Sequence, residues 1–579
     1  MTSSAERWNR AQDCDWLGRS FARPINILFL ILVLVFGQAI VSTAYALDKT
    51  NSVADGELRA CQIVTVDNAW AVGDRGLILS TGDSGKHWEV QHQRSDAILY
   101  GVCFSDELNG CVVGGTIEPY SHRSVGVVLA TSDGGKSWQS YANELPRLVG
   151  AQLVNAGHIL AWGDWSNHYQ SALFESTDGG HSWAGRPIPC GHIQCAAVGL
   201  DGLLVVVDRA GKIHRSRSGL EYESVDLPVT PFDPVRFCKV IEGTWWIGGD
   251  AGKLYRSSDA VHWEQLALPG TINDQSMISL ADAVGHGNRI WIAGQPGNVV
   301  WTSEDLGKTW AVVPTSNRNA IHSISVLNGD LLLSCGPMAN LFASRNGGKA
   351  WWAQHQSGTR SAVLNISSTC SGVAWDLMTH VVYESKRHAS ALVLHDQCFE
   401  ERTSPLPELA SRFEIAGKTI GLAQSRVLAS LPAGNLYSGI RESDLGYYAE
   451  PSTENANGLS TGADVSPMLR RIAFEIRNAR PDVIITNCRV TGNALEVKSA
   501  NAVEQAAALA GRKDFKVFSA SSGILEEAWE PQKIMVRTTN SGMHYSPSML
   551  MESNVVLGSF TTSIRPLLET RGSEDSSDK

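Results

Sequence analysis

The chain has 579 residues, 43% of them hydrophobic and 18% charged, with a formal net charge of −11 from 48 Lys+Arg against 59 Asp+Glu. That much apolar material excludes a chain disordered throughout. The acidic balance excludes a dedicated nucleic-acid binder, which needs a basic face.

The first predicted element is a targeting segment. Residues 25–46 (INILFLILVLVFGQAIVSTAYA) carry no charge, with Arg7, Arg10, Arg19 and Arg23 upstream and Asp48, Asp55 and Glu57 downstream. The run ends in Ala44-Tyr45-Ala46, a small-x-small cleavage pattern. Residues 1–46 therefore read as a signal peptide or an uncleaved signal anchor, since 22 uncharged residues just span a bilayer. Either way the remainder is expected in an extracytoplasmic compartment: periplasmic, secreted or membrane-anchored. Disulfides are permitted there. Cys103 and Cys111 flank a turn (SDELNG), and Cys190 and Cys195 bracket a short loop. Each pair is a candidate bridge, with buried thiols in strands the alternative. Cys190, His192 and Cys195 have no fourth ligand nearby, so no zinc site is expected there.

Next comes a repeat, Ser/Thr-x-Asp-x-Gly-x-x-Trp. It reads TGDSGKHW (Asp83, Trp88), TSDGGKSW (Asp133, Trp138), STDGGHSW (Asp178, Trp183), SEDLGKTW (Asp305, Trp310) and SRNGGKAW (Asn346, Trp351). Two copies are worn: SSDAVHW (Asp259, Trp263) is one residue short, and SRSGLEY (Ser216–Tyr222) lacks both the Asp and the Trp. Starts at 81, 131, 176, 216, 257, 303 and 344 give a period of 40–50 residues, the signature of an array or a propeller. Most copies follow a β-rich stretch ending near Gly, such as WAVGD or WIGGD, and an earlier apolar strand such as CQIVTV. Each unit thus reads as four antiparallel strands, one propeller blade. Within the motif the Asp is expected to accept backbone N–H groups of its own turn and the Gly to supply a positive φ. Trp138 and Trp310 are expected to be largely buried at blade edges.

These motifs resemble Asp boxes, or BNR repeats, of the sialidases and of the exported photosystem II stability/assembly-factor propellers. The run GVCFSDELNGCVVGG…VLATSDGGKSW is similar to a unit of the latter family. The resemblance implies a seven-bladed propeller over 57–357, and with the assembly-factor family a role in assembling a membrane complex. A sialidase-like glycosidase would need an arginine cluster; the nearest thing to its arginine motif, GRPIP (Gly185–Pro189), falls in the third blade rather than the first.

After about residue 357 helical periods appear. The predicted order is strand Ala362–Ser367, helix Ala374–Lys386, strand Ala391–His395, helix Leu406–Gly421 and strand Val427–Ser430. A polar loop (Pro451–Pro467) follows, then helix Met468–Ala479, strand Asp482–Asn487, helix Ala500–Ala510, and strands Lys516–Ser519 and Lys533–Arg537. Alternating strands and helices predict an α/β (Rossmann-like) domain over 358–570 with a mainly parallel sheet. The tail 571–579 (RGSEDSSDK) is expected to be disordered. The string GLSTG (Gly458–Gly462) sits inside the polar loop, without the strand-to-helix context of a nucleophile elbow.

Five stretches of this domain, KRHASALVLHD, ELASRFEIAGKTIGL, IRNARPDVIITN, VEQAAALAG and WEPQKIMVRT, together resemble the GlcNAc-phosphatidylinositol de-N-acetylase-like (LmbE-like) family. Arg412 and Glu414 stand one residue closer than that family's Arg-x-x-Glu. The resemblance implies a metal site after the first strand, His-Pro-Asp-Asp-Glu, and a second motif, His-Pro-Asp-His. Here the first falls on Ser368, Thr369, Cys370, Ser371 and Gly372, and the second on Asn493, Ala494, Leu495 and Glu496. Neither the zinc ligands nor the base is present, and a zinc site needs about three protein ligands. Of His380, His388, His395 and Asp396, which need the same weighing, His388, His395 and Asp396 are the residues available for a substitute site, with a solvated strand end the alternative for His395 and Asp396.

The sequence thus reads as an all-β seven-bladed propeller followed by an α/β domain, an exported non-catalytic scaffold with no catalytic, metal or cofactor residues assigned. Its expected partner is a protein complex or a surface glycan, with no nucleic acid and with an N-terminal membrane anchor possible. The alternatives are an active metal-dependent carbohydrate N-deacetylase with a rebuilt site and a sialidase-like glycosidase.

Overall fold

The computed structural model describes residues 56–92, 97–119, 121–141, 144–208, 210–227, 234–355, 358–394, 409–428, 465–487 and 494–536. The targeting segment, GLSTG, His395, Asp396, Asn493 and the tail lie outside them.

Seven sheets of four antiparallel strands follow one another, each in strict chain order. The blades span 58–92, 98–140, 148–186, 193–226, 235–266, 279–314 and 323–355. Middle strands are covered by a neighbouring blade on each side and so are apolar on both faces. Ala69–Gly73 is buried at all five positions and Ile78–Thr81 at all four. The outermost strands are short and mostly polar, as in Gln139–Ser140 and Glu89–His92. Shortness and polarity blunt an edge that would otherwise pair with another chain. The recurrent Gly that ends the second strand has a steric cause: a Cβ on Gly73 would lie 2.1 Å from the Glu57 carbonyl oxygen.

The ring closes without a shared strand. Blade 1 consists wholly of residues 58–92 and blade 7 of 323–355. Ile63 N–H donates to Ser325 Oγ at 3.0 Å, and Ala339 N–H to the Gly56 carbonyl at 2.7 Å. Leu58, Ala71 and Leu77 pack against Leu333 and Leu341 across the seam.

Strand order fixes the two sides of the ring. Turns between first and second strands share one side with the Asp boxes, which join third and fourth strands. Second-to-third turns and blade-to-blade connections share the other.

The C-terminal residues form a five-stranded sheet. Its strands are Val363–Ser367 (β1), Ala389–Val393 (β2), Gln424–Val427 (β3), Val483–Thr486 (β4) and Lys533–Val536 (β5). All neighbours are parallel, in the order β3-β2-β1-β4-β5. Helices Trp375–Tyr383 (α1) and Leu409–Thr419 (α2) pack Met378, Val381, Phe413 and Ala416 on one face, with Ala391 and Val393. Helices Pro467–Ala479 (α3) and Ala494–Gly511 (α4) pack Ile472, Ile476, Val503 and Ala507 on the other, with Ile366 and Ile484. Helix α3 starts on a Ser466 cap, whose Oγ accepts from Leu469 N–H, followed by Pro467 at its first position. The strand expected over Lys516–Ser519 does not form. Glu526 accepts the Phe518 N–H at 2.8 Å and Asp274 the Ser519 N–H at 2.7 Å, so side chains take the donors a ladder would need. Strands β2 and β3 begin two and three residues earlier than expected, and α4 six residues earlier.

Candidate functional site

The Asp boxes are built from local bonds. In the second, Thr131 Oγ1 accepts from Gly135 N–H (2.9 Å), and Asp133 Oδ1 accepts from Ser137 N–H (2.9 Å) while Oδ2 accepts from Ser137 Oγ (2.6 Å). Asp305 repeats this with the Thr309 N–H (2.9 Å) and hydroxyl (2.7 Å), and Asp83 and Asp178 with the His87 and Ser182 N–H groups. Asn346 accepts the Ala350 N–H at 2.9 Å through Oδ1, so an amide serves as well as a carboxylate. The worn boxes keep the turn. Asp259 takes the Val261 and His262 N–H groups, and Ser218 Oγ stands in for the missing Asp by accepting from Leu220 and Glu221. These bonds, that from Ser137 foremost for Asp133 and that from the Thr309 backbone for Asp305, pull both carboxyls down to about 2.

The box Gly carries a second constraint. Gly307 has φ +82°, and a Cβ there would lie 2.4 Å from the Trp246 ring of the preceding blade. Trp183 and Trp351 are buried and donate Nε1–H to the carbonyls of Gly180 and Gly348, both at 3.0 Å. Trp138 and Trp310, expected to be largely buried, are half-buried instead. They sit at the rim and meet Phe104 and Trp246 edge-on at 6.0 and 6.3 Å, so solvent reaches one side of each ring. Trp88 and Trp263 are half-buried too.

The α/β sheet is seated on the opposite side of the ring. Lys418 of α2 is buried with Glu57 and Asp74 of blade 1, its Nζ 3.0 Å from Asp74 and in contact with Glu57. Arg59 joins Glu57 (3.1 Å), Asp74 (3.3 Å) and Glu414 (2.7 Å). Arg147 pairs with Asp164 at 3.1 Å and donates to Ser411 at 3.2 Å, and the Arg59 and Arg147 guanidinium groups both lie 5.7 Å from the Tyr100 ring centroid. Burial alone would push the Glu57 carboxyl up, but Arg59, Lys418 and His322 hold it well below the usual carboxylate range. On the far side of β3, Arg426 donates to Gln295 of blade 6 at 2.5 Å and pairs with Glu475. Arg471 donates to the Met277 carbonyl at 3.0 Å, and Ser519 binds Asp274. Residues 412 and 414 thus point into the propeller: Arg412 is buried 3.3 Å from His122, and Glu414 accepts from Arg59 and Tyr100. Sequence reading missed this interface. Its signal was Arg412, Glu414 and Lys418 distributed around an otherwise apolar helix, where no single face could hold them in water.

Within the ring, Arg236 is bidentate to Asp250 (2.9 and 2.8 Å), and Lys239 lies 3.1 Å from Asp282. Both acids are buried, whereas the two cations keep 45% and 46% of their side-chain surface open. Arg186 of GRPIP lies on the outermost strand of blade 3 and pairs with Glu175 at 2.9 Å.

The C-terminal ends of β1 and β4 mark the point where strand order reverses, the position at which open parallel sheets hold ligands. The positions singled out in the sequence meet here in part. Ser368 N–H donates to Asn487 Oδ1 at 2.6 Å, and a Cβ on Gly372 would lie 2.7 Å from Asn487 Nδ2. Cys370 is buried in the apolar cluster with Val373, Met378 and Phe413. Ser368 Oγ and Thr486 Oγ1 are buried without a hydrogen-bond partner among the described residues. Ala494, Leu495 and Glu496 open α4. His388 precedes β2 and so belongs to the other end of the sheet, about 16 Å away for a five-residue strand. It cannot join Cys370 in a substitute metal site. His380 pairs with Glu384 one turn along α1, at 2.8 Å. No group of three or more His, Cys, Asp or Glu able to hold a metal occurs among the described residues, and no helix among them is long and apolar enough to cross a membrane.

No family model and no curated protein matches the chain. Solved structures do. Similar ones include YCF48 bound to a D1 peptide (18% identity, 50% of this chain and 93% of that one, TM-score 0.41) and YCF48 from Cyanidioschyzon merolae (17%, 50% and 96%, 0.39). A GH74 xyloglucanase from Xanthomonas campestris is also similar (11%, 53% and 56%, 0.43). In fold, then, residues 58–355 are a seven-bladed β-propeller, built from the seven four-stranded sheets themselves.

Proposed function

We propose that the chain is an extracytoplasmic, non-catalytic binding or assembly scaffold. The propeller is its rigid platform, and residues 358–570 belong to a degenerate LmbE-like domain. The observation that carries this reading is the donor chemistry at the ends of β1 and β4. Asn487 Oδ1 is taken by the Ser368 backbone N–H, the Ser368 side chain offers only a hydroxyl, and Cys370 is buried in an apolar cluster. Polarising an acetamide carbonyl and activating a water need a metal held by about three His or carboxylate ligands, together with a base. Hydroxyl and amide groups bind zinc too weakly to take that place.

The partner class we favour is protein. On the Asp-box side, Leu200 and Leu220 of blade 4 stand 99% and 72% exposed at neighbouring turns, an apolar tip suited to burial against another chain.

The test uses the full chain, grown with zinc and purified without chelators. Elemental analysis is expected to find no stoichiometric zinc, and N-acetylglucosaminides to release no acetate. Stoichiometric zinc with metal-dependent acetate release overturns the scaffold reading.

A further inference from the structure

The ring closes without an exchanged strand, so the seam between blades 7 and 1 rests on contacts alone. At its centre two thiols face each other. Cys61 lies on the innermost strand of blade 1, Leu58–Ile63, and Cys335 on the second strand of blade 7, Leu331–Gly336. Cys61 Sγ donates to the carbonyls of Leu333 (3.6 Å) and Ser323 (3.7 Å). Ser323 is the residue directly opposite Cys335 in the ladder, so those bonds bracket Cys335. The two thiols are within hydrogen-bonding reach of each other, and both are buried in one apolar cluster. Cys103 and Cys111 also oppose each other, but inside blade 2, where a bridge would tie neighbouring strands only. Cys195 meets Cys238 of blade 5 rather than Cys190.

We propose that Cys61 and Cys335 are a cross-linking site, whose disulfide covalently closes the propeller in place of a shared strand. This rests on the extracytoplasmic part of the proposed function, because a reducing compartment would keep the thiols apart. The oxidant is a protein or small-molecule disulfide. One cysteine thiolate attacks it, forming a mixed disulfide and releasing one thiol. The second thiolate then displaces the other thiol. Two cysteine thiols lose two protons and two electrons, and the donor disulfide leaves as two thiols. Burial in the closed ring pushes the Cys335 thiol well up and makes it a poor nucleophile. The bridge therefore forms while blade 7 is still docking, and once formed it resists reductants until the seam opens.

The full chain is unfolded, reduced, and refolded in oxidised and reduced glutathione, a procedure independent of any compartment. Free thiols are then blocked, and the chain is mapped by mass spectrometry without reduction. The expected result is a Cys61 peptide joined to a Cys335 peptide, lighter than the two free peptides by two hydrogens. Blocked Cys61 and Cys335 in refolded chain overturn the proposal while leaving the scaffold reading intact. In chain recovered from its native compartment the same linked peptide is expected; both thiols free in chain shown to be exported also overturn the proposal. A reductant should lower the Tm of the refolded wild type and leave that of Cys335→Ser unchanged. An equal drop in both would place the stabilising bridge elsewhere and refute the latch. The peptide map decides the matter even where the variant fails to fold.

Discussion

Replacing Lys418 by Met removes a buried cation that Glu57 and Asp74 share with Arg59. Lys418, Glu57 and Asp74 side chains are 4%, 3% and 2% exposed, so water cannot replace the lost charge. Arg59 would remain beside all three carboxylates, Glu57, Asp74 and Glu414, with His322 against Glu57 alone at 3.0 Å. Removing one partner of a buried pair costs about 3–5 kcal/mol, because the remaining charge stays desolvated. Methionine preserves most of the side-chain volume, so little of that loss is packing. The assay is urea unfolding of the full chain followed by tryptophan fluorescence, with limited proteolysis to detect release of the α/β sheet. A second variant separates charge from shape: Glu57→Gln in the Lys418→Met background should recover part of the loss, since it removes a stranded carboxylate. The pH dependence has a definite sign. The Glu57 carboxyl is depressed in the folded chain, so its contribution is present above the unfolded value of about 4.3 and is lost as pH falls through the folded value. Lys418→Met should weaken that acid sensitivity. A cost below about 1 kcal/mol, with no change in the proteolytic pattern, would refute the claim that this lysine locks the two parts together.

Other outcomes follow from the same geometry. Trp310→Ala should cost about 2–3 kcal/mol in urea unfolding, below the 3–5 of a fully buried aromatic, because one side of its ring is open; a loss above about 4 would mean the ring is better covered than described. The Asp133 and Asp305 carboxyls stand at about 2 when folded against about 3.9 unfolded, so their stabilisation is complete above pH ~4 and fades as pH falls toward 2. Asp133→Asn, which copies Asn346, should flatten the acid limb of the stability curve, and an unchanged limb would contradict the assignment. Ser368→Ala removes a buried hydroxyl that has no partner among the described residues and should be neutral or stabilising by up to about 1 kcal/mol; a clear loss of stability would mean that this hydroxyl is bonded.

The propeller was legible because each Asp box is its own short-range construction: an acceptor at one position, donors two to four residues on, and a Gly where the chain turns left-handed against the preceding blade. Even the box without its Asp is recoverable, since Ser218 keeps an acceptor in place. What depended on distant residues was not legible. Ring closure joins Cys61 and Ile63 to residues 262 or more positions away. The role of Arg412, Glu414 and Lys418 could not be read from their helix alone, because their partners lie in blades 1 and 2. The segment over Lys516–Ser519 has the composition of a strand, yet Glu526 and Asp274 take its donors. His388 looked available to a rebuilt metal site because sequence distance hides which end of a parallel strand a residue occupies.

The seating gives the two parts a mutual dependence that is separate from catalysis. Strand β3 stands at one end of the described sheet. Here Arg426 on that strand binds Gln295 of blade 6, and the flanking α2 and α3 carry the cations that meet the ring. The ring in turn holds Glu57 and Asp74 almost out of reach of water, a cost that its own Arg59 offsets only in part and that Lys418 completes. The donors at the ends of β1 and β4 lie outside this exchange. Changing them leaves the acids paired, whereas changing Lys418 strands buried charge. The contacts that seat the sheet on the ring are therefore separate from the groups at its strand ends.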